Sequence, residues 1–214
     1  MLYSPARGIL LFTRDLNTIL LLTAAFIIAV ACHEANHAFV ATALGDDTAR
    51  RAGRLSLNPL RHIDAMGIIF LVLAGVGWGW TPISPAKLRP NPKIGSALVG
   101  AAGPVANIAL AFLFSAPIRA GMDLPPLLHQ FLFVATSLNL LLFVFNLLPI
   151  PPLDGFSILL GVLPRRPSEA LRQLERVGPG LIMLLFIASS FLGIDVIGMF
   201  FGPVARAFGL AGLR

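Results

Sequence analysis

From Leu16 to Cys32 the chain runs LNTILLLTAAFIIAVAC, without an acid, a lysine, an arginine or a histidine. Such a run has few places to go. Lipid offers a backbone no hydrogen-bond partners, so a segment that lies in it closes its own amide ladder as a helix. Continued to Leu44, before the helix-stopping Gly45, the block makes roughly 40 Å of helix at 1.5 Å per residue, enough to cross a bilayer. Composition agrees: 57% of the 214 residues are hydrophobic and 12% are charged, where a soluble domain carries about a quarter charged. The block is too long for a signal peptide, starts after Arg14 and Asp15, and carries the chain's most unusual motif, so no cleavage is expected.

Further spans are predicted at about 94–118 and 127–148, with a last one at about 179–192 and Asp195 beyond its outer end. Ala65–Trp80 is uncharged but short and holds four glycines, which reads as a re-entrant or partly embedded segment. The expectation is an all-α polytopic membrane protein with about four to six transmembrane or re-entrant helices. Residues 1–214 are read as one membrane-embedded unit, with a core over about 16–161 and a C-terminal helix over about 178–204. A short strand is expected around Arg54–Leu57. The net charge of +6 does not signal nucleic acid. The basic residues cluster in loops at 46–64, 81–93 and 164–177, where the positive-inside rule puts them on the cytoplasmic side. The single cysteine, Cys32, excludes an internal disulfide framework.

Into the first block falls HEANH, residues 33–37. It takes two of the chain's four histidines and one of its three glutamates. Ionisable groups at membrane depth are costly and mark function by default. Residues four apart share a helix face, so His33 and His37 can aim ring nitrogens at one point, at the 2.0–2.1 Å that zinc takes. Glu34 stands beside that point as general base for an attacking water, the HExxH arrangement. A catalytic zinc site wants a third protein ligand and one open position. His62 and His129 are candidates in loop or interface settings. Asp154 stands out among the acids, because it follows a span in the proline-broken NLLPIPPLDG and falls at comparable depth to the histidines. A helix-capping role for Asp154 before Gly155 is the alternative at this point.

HEANH, AAGPVAN and NLLPIPPLDG, in that order and each beside an apolar span, resemble the site-2 protease family of intramembrane zinc metalloproteases (peptidase family M50). GRLSLNPLRHIDAMG and GWTPISPAKLR further resemble its small bacterial branch, which lacks PDZ and CBS domains. The resemblance covers about residues 20–161. It implies one zinc ion per chain held by His33, His37 and Asp154, with Glu34 as base. Asn146 matches a family asparagine that holds the scissile peptide or its oxyanion, while Asn107 is expected to be structural, tying its helix to a neighbour. The implied substrates are single-pass transmembrane proteins, cut in or near the bilayer of a bacterial inner membrane. The implied edge strand, which receives unwound substrate by strand addition, is supplied by LSLN or TPIS. The chain departs from the family in lacking a lysine in its tryptophan–proline loop, GWGWTPIS. Two other readings stand beside the protease. One is a catalytically silent relative that binds membrane proteins, disfavoured because Glu34 and all three ligands are present. The other is a metal-ion transporter, disfavoured because the other spans carry no acids or histidines along a route.

Overall fold

The computed structural model describes residues 16–62, 81–184 and 196–208. Its elements in chain order are α1 (Leu16–Ala43), the single turn α2 (Thr48–Arg51), α3 (Pro92–Arg119), α4 (Pro126–Asn146), α5 (Asp154–Val162), α6 (Arg165–Leu171) and α7 (Val196–Ala207), with 3-10 turns at Pro59–Arg61, Pro85–Lys87 and Arg172–Arg176. Among the described residues, α1, α3 and α4 are long and apolar enough to cross a membrane. The fold is an all-α membrane protein, and these three helices fall where the apolar blocks predict them.

Local chemistry sets the helix ends. Asn91 opens α3 by accepting from the amides of Lys93 and Ile94, with Pro92 in the first helical position, where a missing donor costs nothing. The same device opens the Pro59–Arg61 turn, where the Asn58 side chain accepts from the Leu60 amide. Past Asn146 the prolines at 149, 151 and 152 cannot continue an amide ladder, and α4 ends. The chain then doubles back sharply. At Gly155 a Cβ would stand 2.3 Å from the Leu147 carbonyl oxygen, so only glycine lets the start of α5 press against the end of α4. That turn carries Asp154 back towards the bundle.

α3 is the central helix and packs against α1, α4 and α5. The α1 face that it meets is built from small residues, with Ala25, Ala29, Ala31, Ala35, Ala38 and Ala41 all buried. Small side chains let backbones approach closely where lipid removes the usual hydrophobic drive. Large apolar side chains point the other way: Leu20, Ile27, Leu98, Phe112 and Leu113 are all exposed. α7 packs on α4, with Phe208 against Ala111 and Leu140.

The expected short strands do not form among the described residues. Leu55–Leu57 is a bend and Thr81–Ser84 is irregular. Ser84 does have extended backbone angles, but Pro82 and Pro85 remove two donors and no second strand faces the segment among the described residues. The Ala65–Trp80 segment and Asp195 lie outside the described residues. Of the last predicted span, residues 178–184 are helical and the rest lies outside them.

Candidate metal centre

His33 and His37 lie one turn apart on the α3-facing side of α1. Their rings are edge-on, with centroids 4.6 Å apart, and their Nε2 atoms are 3.0 Å apart. Asp154, first residue of α5, brings Oδ2 to 3.2 Å from His33 Nε2 and Oδ1 to 3.3 Å from His37 Nε2. Ligands 2.0–2.1 Å from a tetrahedral centre stand about 3.3 Å from one another. The three separations are close to that edge length. His33, His37 and Asp154 form a group able to hold a metal ion.

The far side of each ring decides where the protons are. His37 Nδ1 lies 2.6 Å from the Val99 carbonyl oxygen, which can only accept, so the ring donates from Nδ1. His33 reaches the same state through a relay. Asn139 Nδ2 donates to the Ala135 carbonyl at 2.9 Å, which leaves Asn139 Oδ1 to accept from Asn107 Nδ2 at 2.9 Å. Asn107 Oδ1 then accepts from His33 Nδ1 at 2.7 Å. Asn107 and Asn139 are both 0% exposed. With both protons on Nδ1, the two Nε2 lone pairs face each other and the carboxylate, with no hydrogen between them. Asp154 Oδ2 is accordingly buried without a hydrogen-bond partner. Converging lone pairs around an orphaned carboxylate oxygen repel one another, and a cation among them removes the repulsion.

Gly103 completes the cradle. A Cβ at this position would lie 2.4 Å from the Nε2 atoms of both histidines, so any side chain would fill the space on which those nitrogens converge. Next along α3, Pro104 has no amide to give to the preceding turn. At this level α1 ties itself to the α3 backbone twice, through His37 to Val99 O and through Asn36 Nδ2 to Ala102 O at 2.6 Å.

Glu34 is buried beside this group without joining it, and its Oε2 accepts from Thr81 Oγ1 at 2.6 Å. Asn146 is half-buried at the end of α4, where its Nδ2 donates to the Leu142 carbonyl of its own helix. His62 lies apart from the ligand group and bonds through Nε2 to the Ser56 carbonyl. His129 sits in the first turn of α4, about 25 Å of helix from Asn146. Cys32 is half-buried and outside the group. Asn107 does tie α3 to neighbours, as expected, and one of them is the His33 ring. Asn139, Gly103 and Thr81 are the participants that sequence reasoning passes over. For Asn139 a signal existed, since an asparagine inside ATSLNLLLF has to find partners or be costly.

Comparison with known proteins agrees with this chemistry. A sequence profile of Peptidase family M50 matches residues 118–187, a stretch that contains Asp154. The chain is 37% identical over 175 residues to "Putative zinc metalloprotease YwhC" of Bacillus subtilis, covering 75% of this chain and 77% of the relative. It is 31% identical over 199 residues to "Putative zinc metalloprotease Rip2" of Mycobacterium tuberculosis, covering 89% and 73%. Rip2 of Mycolicibacterium smegmatis is 30% identical over 179 residues, covering 78% and 67%. No solved structure matches the chain. The chain is a zinc metalloprotease and belongs to peptidase family M50, the site-2 protease family.

Proposed function

We propose that this protease cuts membrane-spanning substrates within or next to the bilayer, with His33, His37 and Asp154 holding the zinc and Glu34 acting as general base. The convergence of the two Nε2 atoms and the Asp154 carboxylate on the buried side of an apolar helix carries the reading. When bound, zinc supplies Lewis acidity, polarising a peptide carbonyl and acidifying water. The chain's own residues do the rest. The Val99 carbonyl and the Asn107–Asn139 relay keep both rings in one tautomer and orientation. Glu34 takes a proton from water as its oxygen bonds to the carbonyl carbon, then delivers that proton to the amine nitrogen as the C–N bond breaks. Asn146 releases the Leu142 carbonyl and donates instead to the substrate's peptide group. A substrate helix has to lose local hydrogen bonds first, since its intact ladder shields each carbonyl.

The substrates are single-pass transmembrane proteins, and the enzyme is a multi-pass protein of a bacterial inner membrane with the basic loops on the cytoplasmic face. The catalytic unit is residues 16–161, continued by the C-terminal helix at 178–204. The decisive experiment compares wild type and Glu34→Gln in liposomes with a membrane-spanning peptide. Glu34→Gln is expected to keep its zinc and lose cleavage by roughly 100-fold or more, the contribution of a positioned base. Cleavage at the wild-type rate by Glu34→Gln would overturn the reading.

A further inference from the structure

Glu34 is gripped from outside its own helix. The 2.6 Å contact from Thr81 Oγ1 to Glu34 Oε2 has the length of a charge-assisted O–H···O⁻ bond. The same hydroxyl oxygen lies 3.2 Å from the Glu34 backbone carbonyl. A threonine hydroxyl has one proton to give, and the shorter contact, to the charged acceptor, takes it. Threonine is well suited to this contact, because its β-branch stiffens χ1 and Pro82 behind it biases its backbone towards extended angles.

The loop that carries Thr81 is fastened to the end of α1 at several points. Asp46 is 0% exposed. Its Oδ2 accepts from the Ser84 amide at 2.5 Å, while Oδ1 accepts from the Thr48 hydroxyl at 2.5 Å and the Thr48 amide at 3.1 Å. Downstream, the Arg89 amide donates to the Leu44 carbonyl at 2.8 Å, and Leu88 is buried against Ala41 and Val99. Gly45, at φ +98°, makes the turn that brings Asp46 under the loop.

We propose that Thr81 is a positioning residue for the Glu34 carboxylate, and that buried Asp46 holds the loop in the place from which Thr81 reaches it. This rests on the reading of Glu34 as general base. A glutamate has three side-chain torsions to explore, and a base is effective only when one oxygen faces the attacking water. The Thr81 hydroxyl ties down Oε2, fixes the plane of the carboxylate and leaves Oε1 to take the proton. The base is thus aimed by a loop anchored at the C-terminal end of α1, outside the metal's own ligand shell.

The test uses the full chain, zinc-loaded in proteoliposomes, with a membrane-spanning model peptide. Valine keeps the shape of threonine and removes the proton. Thr81→Val is expected to lower kcat roughly 10- to 100-fold, as loss of a supporting partner does, with KM and zinc content unchanged. Thr81→Ser restores most of the rate, because it restores the donor. Asp46→Asn lowers kcat as well, and the double variant is no slower than the slower single one, since both act through one contact. Wild-type kcat in Thr81→Val, loss of zinc or a rise in KM alone, or failure of serine to rescue would each overturn the role of Thr81. Full additivity in the double variant would overturn the role of Asp46. Failure of the underlying reading looks different: Glu34→Gln would then cleave at the wild-type rate, and this proposal would fall with it.

Discussion

Both halves of α1 bury alanines, but the first turns leucines outward while the second turns ionisable side chains inward. In the first half Leu16 is 66% and Leu20 57% exposed, while in the second half His33, Glu34 and His37 are 8%, 7% and 7% exposed. A soluble protein would reverse this. Lipid solvates leucine as well as a protein interior does, so apolar side chains gain little by turning inward. An imidazole or a carboxylate has no partners in lipid and turns towards an asparagine, a carbonyl and a hydroxyl. The helix is therefore sorted by where hydrogen-bond partners are, with α3 supplying them to the second half.

That contrast can be broken most directly at Gly103. Gly103→Ala puts a methyl 2.4 Å from both ligand nitrogens, and the purified protein is expected to lose its zinc altogether by elemental analysis while keeping its helical circular dichroism. Retained zinc would mean that the ion does not lie between these two rings beside Gly103. A smaller effect is expected one step back. Asn107→Leu removes the acceptor from His33 Nδ1 and should weaken zinc roughly 10- to 100-fold in chelator competition. Asn139→Leu should cost less, because Asn139 touches Asn107 and not the ring. Equal losses would argue against a relay with a direction.

Acid sharpens the comparison at the end of α1. Burial pushes the Asp46 carboxyl up, but the Thr48 hydroxyl, the Ser84 and Thr48 amides and the charge of Lys87 outweigh it and hold it below its ordinary 3.8. A depressed folded value means that the charged form stabilises the fold. This contribution is whole above about pH 4, near the ordinary carboxylate value, and fades as pH falls through the folded one. Wild type should lose thermal stability over that window, and Asp46→Asn should show a flatter profile. The smallest effect belongs to the lipid-facing half: Leu20→Ala should change stability by less than about 0.5 kcal/mol. A loss of several kcal/mol in a detergent-unfolding titration would show that this face is covered by protein.

The sequence made the three spans legible because an uncharged block of that length has one solution in lipid. His33 and His37 were legible because helical spacing alone puts positions four apart together. Asp154 stood out from its place after a proline-broken span, and the fold brings its carboxylate beside both histidines. The rest was hidden for a physical reason. Thr81 meets Glu34 across 47 residues, Asn139 meets Asn107 across 32, and Gly103 matters through a volume that it leaves empty. Contacts of that kind belong to the packing of helices and have no period in the chain. LSLN and TPIS look like strands by alternation, yet a strand needs a neighbour to pair with, and none is present among the described residues.

The relay from the Ala135 carbonyl through Asn139 and Asn107 to His33 runs across α4, α3 and α1, and α5 adds the carboxylate. The donor set together with the relay that orients it therefore has no existence in any single helix or pair of helices. It comes into being when four segments reach register, which makes occupancy by the ion a late event in maturation and a report that assembly has finished. A bundle even slightly splayed would part the His33 and His37 rings from the Asp154 carboxylate.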